Sequence, residues 1–244
     1  DVPLVVDGLN YGDAPARPNQ PHHAIDAYQK VLHLDNYRGE AHLLMAETLL
    51  DLGRPGDAIE QLERPSFLIE DVPDSWLLLS KAYFMTGKKE EGKEILKLGV
   101  SAIPDCPDLN NAFAKAIVND GNPEDAVPYF WKAKELAPES DQMLLDLGRT
   151  LRNLGRQEEA ISLLNEGIQK WPDNIQIGYL NAESLIDLGR EQEALPILES
   201  VLENGGKSFE KLMLYADVLT GFDNRGISYQ AIPDAHVAKA LEAV

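Results

Sequence analysis

The chain has 244 residues and a formal charge of −19, because its 41 Asp and Glu residues outnumber its 22 Lys and Arg residues. Such an acidic chain lacks the basic footprint with which proteins bind nucleic acid or anionic lipid. No apolar run reaches the length that crosses a bilayer. We therefore expect a soluble protein with no nucleic-acid partner and no membrane insertion, in the cytoplasm or the periplasm.

Two features of the N-terminal region depart from regular structure. The chain begins at Asp1 rather than Met, so we expect a processed chain or a fragment of a longer one. Pro15, Pro18 and Pro21 exclude a regular helix beyond its first turn. Residues 1–21 are therefore predicted to form an extended, proline-rich leader, followed by a lone helix that begins near residue 22.

From that helix onward, the sequence repeats with a period of 34 residues. Near-copies of one motif occur as LGRPGDAIEQL at 52–62, LGRQEEAISLL at 154–164 and LGREQEALPIL at 188–198. One column of the repeat contains only glycine: Gly53, Gly87, Gly121, Gly155 and Gly189. Two more columns contain only small residues: Ala46, Ser80, Ala114, Gly148, Ala182 and Ala216, and Ala24, Ala58, Gly92, Ala126, Ala160 and Ala194.

These columns predict a helix–turn–helix unit. Small residues at two fixed places allow paired helices to approach closely, and glycine suits a sharp turn with positive φ after the first helix. Large apolar residues lie at helical spacing between the columns. Pro104, Pro138 and Pro172 recur one period apart and end successive units, where a nearby Asp, Ser or Asn can cap the next helix.

A 34-residue unit of this kind resembles the tetratricopeptide repeat family. That family's Trp position is filled by Trp76, its Leu-Gly pair by residues 147–148, and its Ala-x-x-x-Phe motif by Ala126 and Phe130. The resemblance implies an all-α, right-handed superhelical solenoid of antiparallel helix pairs, irregular at both ends, with six to seven units over residues 22–222. In the family's frame the units are 5–38, 39–72, 73–106, 107–140, 141–174, 175–208 and 209–242.

Two further departures from the repeat are expected. Pro65 falls inside the second helix of the unit at 39–72, so that helix should end early or kink. Ser228 stands where the small-residue column predicts alanine, and residues 223–244 are predicted to form a loop and a C-terminal capping helix.

No catalytic motif is present. The sequence has no nucleophile elbow, phosphate-binding loop, dinucleotide-binding glycine pattern or zinc-protease motif. None of the five histidines is paired with another at i, i+4 spacing on one helix, and His22 and His23 have the character of an ordinary exposed pair. We therefore expect no enzyme activity, no metal site and no cofactor.

A candidate binding surface follows from the resemblance, which implies that the first helix of each unit lines the concave side of the solenoid. The ninth position of the unit contains three consecutive cations, Lys81, Lys115 and Arg149. Nearby polar residues on the same side are Arg152, Asn111, Asn119 and Asn153. This pattern predicts a groove for an acidic or carboxylate-bearing peptide. The asparagine side chains would form hydrogen bonds with the peptide backbone. The alternative is that the column is simply charged and that Asp146 partly neutralises Arg149.

A second, apolar surface is expected in the units at 39–72 and 73–106. Its inward-facing residues are Leu43, Leu44, Leu77, Leu78, Phe84 and Met85. Either this patch is an interface, or the leader covers it. If it is an interface, Leu77 and Phe84, together with Tyr179 of the unit at 175–208, would supply apolar contacts to an acidic-hydrophobic segment.

The sequence thus favours a non-enzymatic scaffold or adaptor that captures a segment of a protein partner in a concave groove. Two alternatives remain open: a regulatory or substrate-recruiting arm of a larger enzyme, and a structural subunit of a fixed assembly or homo-oligomer.

Overall fold

A computed structural model describes residues 20–34, 39–63 and 71–205, together with residues 214, 215 and 218. Across these residues the secondary structure consists of eleven helices and no strand. The chain divides into two compact units, unit 1 up to Ile103 and unit 2 from Pro104. Nearly all of the predicted leader and the whole of the predicted C-terminal loop and capping helix lie outside the described residues.

Unit 1 contains five described helices. They are α1 (Gln20–Leu34), α2 (Gly39–Asp51), α3 (Pro55–Leu62), α4 (Pro73–Met85) and α5 (Lys89–Ala102). Consecutive helices pack against each other, and α2 also contacts α4. Helix α1 corresponds to the helix predicted to begin near residue 22, and it begins two residues earlier, at Gln20.

Unit 2 contains six described helices. They are α6 (Pro107–Asn119), α7 (Pro123–Leu136), α8 (Asp141–Asn153), α9 (Gln157–Lys170), α10 (Ile175–Asp187) and α11 (Glu191–Glu203). Neighbours again pack in sequence, and α8 contacts α10. The helices that open successive repeats begin at residues 39, 73, 107, 141 and 175, which confirms the predicted register.

The turn between the two helices of each pair depends on its glycine. The five glycines of the column have φ values of 69°, 79°, 85°, 75° and 72°, in the left-handed region that disfavours any residue with a Cβ atom. After Gly53 the amide of Arg54 donates to the carbonyl of Leu49 at 2.8 Å. The same backbone bond recurs one period later in each of the other four turns, so the glycine column produces a repeated helix cap.

The small-residue columns lie where helices are in closest contact. Ala58, Ala126 and Ala160 are completely buried. A Cβ atom added to Gly148 would lie 3.1 Å from Leu164 Cδ2, and one added to Gly92 would lie 3.0 Å from the Phe84 ring. These positions therefore exclude larger side chains, as the spacing predicts.

Proline and polar caps determine where several helices begin and end. Helix α3 ends at Leu62, three residues before Pro65, which confirms the prediction of a shortened helix. Ser140 caps α8 by accepting from the amide of Met143, and Asn174 caps α10 by accepting from two amides.

Among the tryptophans, Trp76 is buried, and Trp131 and Trp171 pack on the core of unit 2.

The turn glycines can be tested with a matched pair of substitutions in unit 1. No atom lies within 4 Å of a Cβ added at Gly53 or at Gly56, so neither substitution causes a clash. Gly53→Ala should lower the free energy of unfolding by about 1–2 kcal/mol because its φ is positive. Gly56→Ala, in the first turn of α3, should be neutral or stabilising by up to about 1 kcal/mol.

The measurement is urea-induced unfolding followed by circular dichroism. Equal effects of the two substitutions would show that backbone conformation does not determine the stability of this turn.

Candidate functional site

The candidate site is a pocket in unit 2 with a volume of about 250 Å³. It is formed by side chains of α6, α7 and α8. The lining residues are Lys115, Val118, Asn119, Phe130, Asp146, Arg149, Thr150 and Asn153. Four of these, Lys115, Asn119, Arg149 and Asn153, are residues that the sequence predicts to bind a partner.

Helix periodicity places these four residues in a regular array, which we call the cation–amide array. Lys115 and Asn119 are four residues apart on α6, and Arg149 and Asn153 are four residues apart on α8. Residues at i and i+4 lie on one face of a helix. Because the two pairs are one period apart, the pocket has a row of two cations beside a row of two amides.

Asp146 is the most buried charged residue of the pocket, with 9% of its surface exposed. One carboxylate oxygen accepts from Lys115 Nζ at 2.7 Å and from Asn111 Nδ2 at 3.1 Å. The other accepts from Gln142 Nε2 at 2.9 Å. The alternative interpretation expected Asp146 to neutralise Arg149, but its ion pair is with Lys115, because α6 and α8 bring these two residues together.

Arg149 is exposed. Its guanidinium Nη2 donates to Gln176 Oε1 at 3.1 Å, and among the described residues no carboxylate forms an ion pair with it. A neutral amide orients the guanidinium without cancelling its charge, so donors remain for a ligand.

Asn111 lies beneath the array and does not reach its surface. It is 9% exposed, and its amide nitrogen is committed to Asp146. Its Oδ1 atom is buried without a hydrogen-bond partner among the described residues, which is unfavourable for a polar atom removed from water. The geometry therefore indicates that Asn111 orients Asp146.

Arg152 and Tyr179 belong to a different cluster, formed by α8 and α10. Arg152 pairs with Glu183 at 3.0 Å and with Asp187 at 2.8 Å. Tyr179 forms a hydrogen bond with Glu183. Burial raises the pKa of the Glu183 carboxyl, while the neighbouring Arg152 guanidinium and the Tyr179 hydrogen bond act in the opposite direction. Arg152 is thus engaged within the chain.

The remaining predicted residues, Lys81, Leu77 and Phe84, lie on α4 in unit 1. Lys81 is exposed and Leu77 is partly buried. Phe84 is 37% exposed, although its ring also packs over the position of Gly92. Of the other residues of the predicted apolar surface, Leu44 and Met85 are exposed, and Leu43 and Leu78 pack partly on the core of unit 1.

Sequence reasoning missed a ladder of ion pairs between repeats in unit 2. Arg156 Nη1 lies 3.3 Å from Glu124, and Arg190 Nη1 lies 3.0 Å from Glu158. Both pairs join residues 32 positions apart, and each arginine also pairs with the glutamate three residues after it. Acid–base pairs separated by nearly one period were the signal in the sequence that could have revealed this ladder.

Over the part of the chain that the structure describes, no group of His, Cys, Asp and Glu side chains has the arrangement of a metal site. In the same residues no helix is long and apolar enough to span a bilayer.

The in-register helix pairs define an all-α repeat solenoid. Models of the tetratricopeptide repeat match residues 39–64, 73–106 and 110–219. The chain is a tetratricopeptide repeat protein, as the resemblance implied. No curated protein has a significant sequence match to it. Proteins with this fold typically serve as non-catalytic scaffolds for protein–protein interaction.

Solved structures agree with this assignment. YrrB, described as a TPR protein with an unusual peptide-binding site, aligns with a TM-score of 0.64 at 17% identity, covering 78% of this chain and 97% of that chain. A MamA structure aligns with a TM-score of 0.58 at 26% identity, covering 72% and 98%. A chain of the APC/C Cut9–Hcn1 hetero-tetramer aligns with a TM-score of 0.60 at 18% identity, covering 82% and 40%.

The raised pKa of Glu183 leads to a prediction about pH. A carboxyl group with a raised pKa in the folded state stabilises the fold most when it is protonated, and this stability is lost as pH rises from about the ordinary value of 4.5 through the folded-state pKa. Glu183→Gln imitates the protonated form. The stability of this variant relative to the wild type should therefore increase between about pH 4 and about pH 7.

Urea unfolding of both proteins across this pH range tests the prediction, and NMR titration of the Glu183 carboxyl gives its pKa directly. A relative stability that decreases with pH, or a pKa at or below 4.5, would show that the ion pair with Arg152 outweighs burial.

Proposed function

We propose that this protein is an interaction scaffold that binds an extended, acidic segment of a partner protein at the cation–amide array. The observation that carries the proposal is the register of the array: two cations and two amides, one repeat apart, surround one pocket. The fold supports a protein or peptide as partner, and the array supplies a reason for an acidic one.

The amide row is suited to a peptide backbone. Asn119 and Asn153 are exposed and end α6 and α8. Each side chain offers both a donor and an acceptor, which matches the groups of a peptide unit. Packed helices are about 8–10 Å apart, and an extended chain advances about 3.3 Å per residue. The two amides would thus contact peptide groups about three residues apart.

The cation row is suited to an acidic side chain of the same segment. Arg149 has free donors and no internal ion pair among the described residues, whereas Lys115 shares its charge with Asp146. Val118 provides apolar surface beside these charges, whereas Phe130 is only 2% exposed. An acidic side chain with an aliphatic stem would contact Val118, and Arg149 would be its main ionic partner.

Unit 1 would provide a separate contact surface for the same partner or for another part of it. Lys81 supplies an exposed cation there, and Phe84 and Met85 supply exposed apolar area. Leu77 would add to the apolar contact. Tyr179 and Arg152, predicted from the sequence to contact a partner, would act mainly by holding α8 and α10 together beside the array.

The test uses a phage-displayed library of random linear peptides selected on the whole chain. Enriched peptides should contain Asp or Glu, and Arg149→Glu should weaken their binding by about tenfold or more, since repulsion replaces an ionic contact. Lys97→Glu is the matched control. It makes the same change of charge on α5 of unit 1, where Lys97 pairs with Glu94 on its own helix, and it should leave binding unchanged.

Circular dichroism must show unchanged helicity in both variants. The proposal fails if enriched peptides lack acidic residues, or if Arg149→Glu and Lys97→Glu bind them equally well.

A further inference from the structure

We propose that Asp146 is a specificity-determining residue, which limits the anion accepted by the pocket to one negative charge and so selects a carboxylate over a phosphate. This inference rests on the proposed function, because it concerns the chemistry of the group that the cation–amide array binds. An anion-binding pocket has no need of a buried acid such as Asp146 for affinity alone, and the inference gives this residue a role.

The side chains that line the pocket carry a small net positive charge. The charged lining residues are Lys115, Asp146 and Arg149. Two positive charges and one negative charge leave a net charge of one. A single carboxylate therefore neutralises the pocket. A phosphate monoester, which carries nearly two negative charges at neutral pH, leaves negative charge without a partner.

The Asp146 side chain is held in position by its neighbours. Its two carboxylate oxygens accept three hydrogen bonds, from Lys115, Asn111 and Gln142. Only 9% of its surface is exposed. A carboxylate held in this way cannot turn into solvent when an anion enters, so its repulsion is a permanent property of the pocket.

A carboxylate and a phosphate differ in the free energy of entering the pocket. Removing an ion from water is unfavourable, and the penalty increases steeply with its charge. The phosphate would lose more hydration than the carboxylate, and it would be repelled more strongly by Asp146. The Thr150 hydroxyl cannot compensate by donating, because it already donates to the backbone carbonyl of Asp146 at 2.8 Å.

The variants follow from the same count of charges. Asp146→Asn raises the net charge of the pocket from one to two, and Lys115→Gln lowers it from one to zero. The double variant Lys115→Gln/Asp146→Asn returns it to one. This series separates the charge of the pocket from the identity of either side chain.

The experiment uses two defined probes, N-acetyl-glutamate N-methylamide and N-acetyl-phosphoserine N-methylamide. Each is titrated into the whole chain at neutral pH while the side-chain amide resonances of Asn119 and Asn153 are followed by NMR. The measured quantity is the affinity for phosphoserine divided by the affinity for glutamate. This ratio responds to charge, whereas a purely structural effect would change both affinities together.

Asp146→Asn should raise the ratio by about fivefold, because the second negative charge of the phosphate would then gain an ionic contact with the exposed cation Lys115, and one such contact changes affinity by up to about that factor. Lys115→Gln should lower the ratio by a similar factor, and the double variant should restore the wild-type value. Lys115→Gln keeps the proposal falsifiable if Asp146→Asn does not fold, which circular dichroism would show.

Two failures can be distinguished. If neither probe perturbs Asn119 or Asn153 in the wild type, the array is not an anion site, and the proposed function and this inference both fail. If the glutamate probe binds but the ratio is the same in all four proteins, the array is an anion site and only the role of Asp146 is wrong.

Discussion

The geometry of the site depends on the close and regular approach of paired helices. A glycine at positive φ ends the first helix of each pair, and a backbone bond from the following residue closes the turn in the same way each time. Completely buried alanines then let the second helix pack directly on the first. Because each repeat of unit 2 is built alike, a side chain at one position stands beside its equivalent in the next repeat of that unit.

This regularity converts spacing in the sequence into a chemical site. Lys115 and Arg149 occupy one column of the repeat, and Asn119 and Asn153 occupy another. Each of these pairs has one member on α6 and one on α8, so neither helix alone contains both members of a pair. Placed side by side by α6 and α8, they surround one pocket with two cations and two amides. The site is therefore a consequence of the period as much as of the residues in it.

Electrostatics distinguishes the pocket from other parts of this acidic chain. Elsewhere in unit 2, cations neutralise acids of a neighbouring repeat, as in the pairs Lys134–Glu166 and Lys170–Glu139. Such exposed pairs stabilise a fold only slightly, but they engage the cations in contacts within the chain. Arg149 differs, since a neutral glutamine holds it. Arg149 therefore has guanidinium donors available to an acidic ligand.

The sequence predicted the fold better than the site, for physical reasons. Helix starts, turn glycines and the shortened α3 follow from local rules that recur every 34 residues. Which acid pairs with which cation depends on side-chain reach across helices. The sequence therefore predicted Arg152 as a partner-binding residue but not its ion pairs with Glu183 and Asp187. It also left open a pairing of Asp146 with Arg149, where the structure pairs Asp146 with Lys115. The chain divides into two units after Ile103 without any break in the 34-residue repeat. The periodicity of the sequence therefore does not reveal this division.

The proposed function requires that the cation–amide array contacts an acidic segment of a partner. The most direct measurement is a crystal structure of the chain with an acidic peptide that it binds. We expect an extended peptide backbone bonded to Asn119 and Asn153, with one carboxylate within hydrogen-bond distance of Arg149. A peptide bound elsewhere, with the array unoccupied, would contradict the claim.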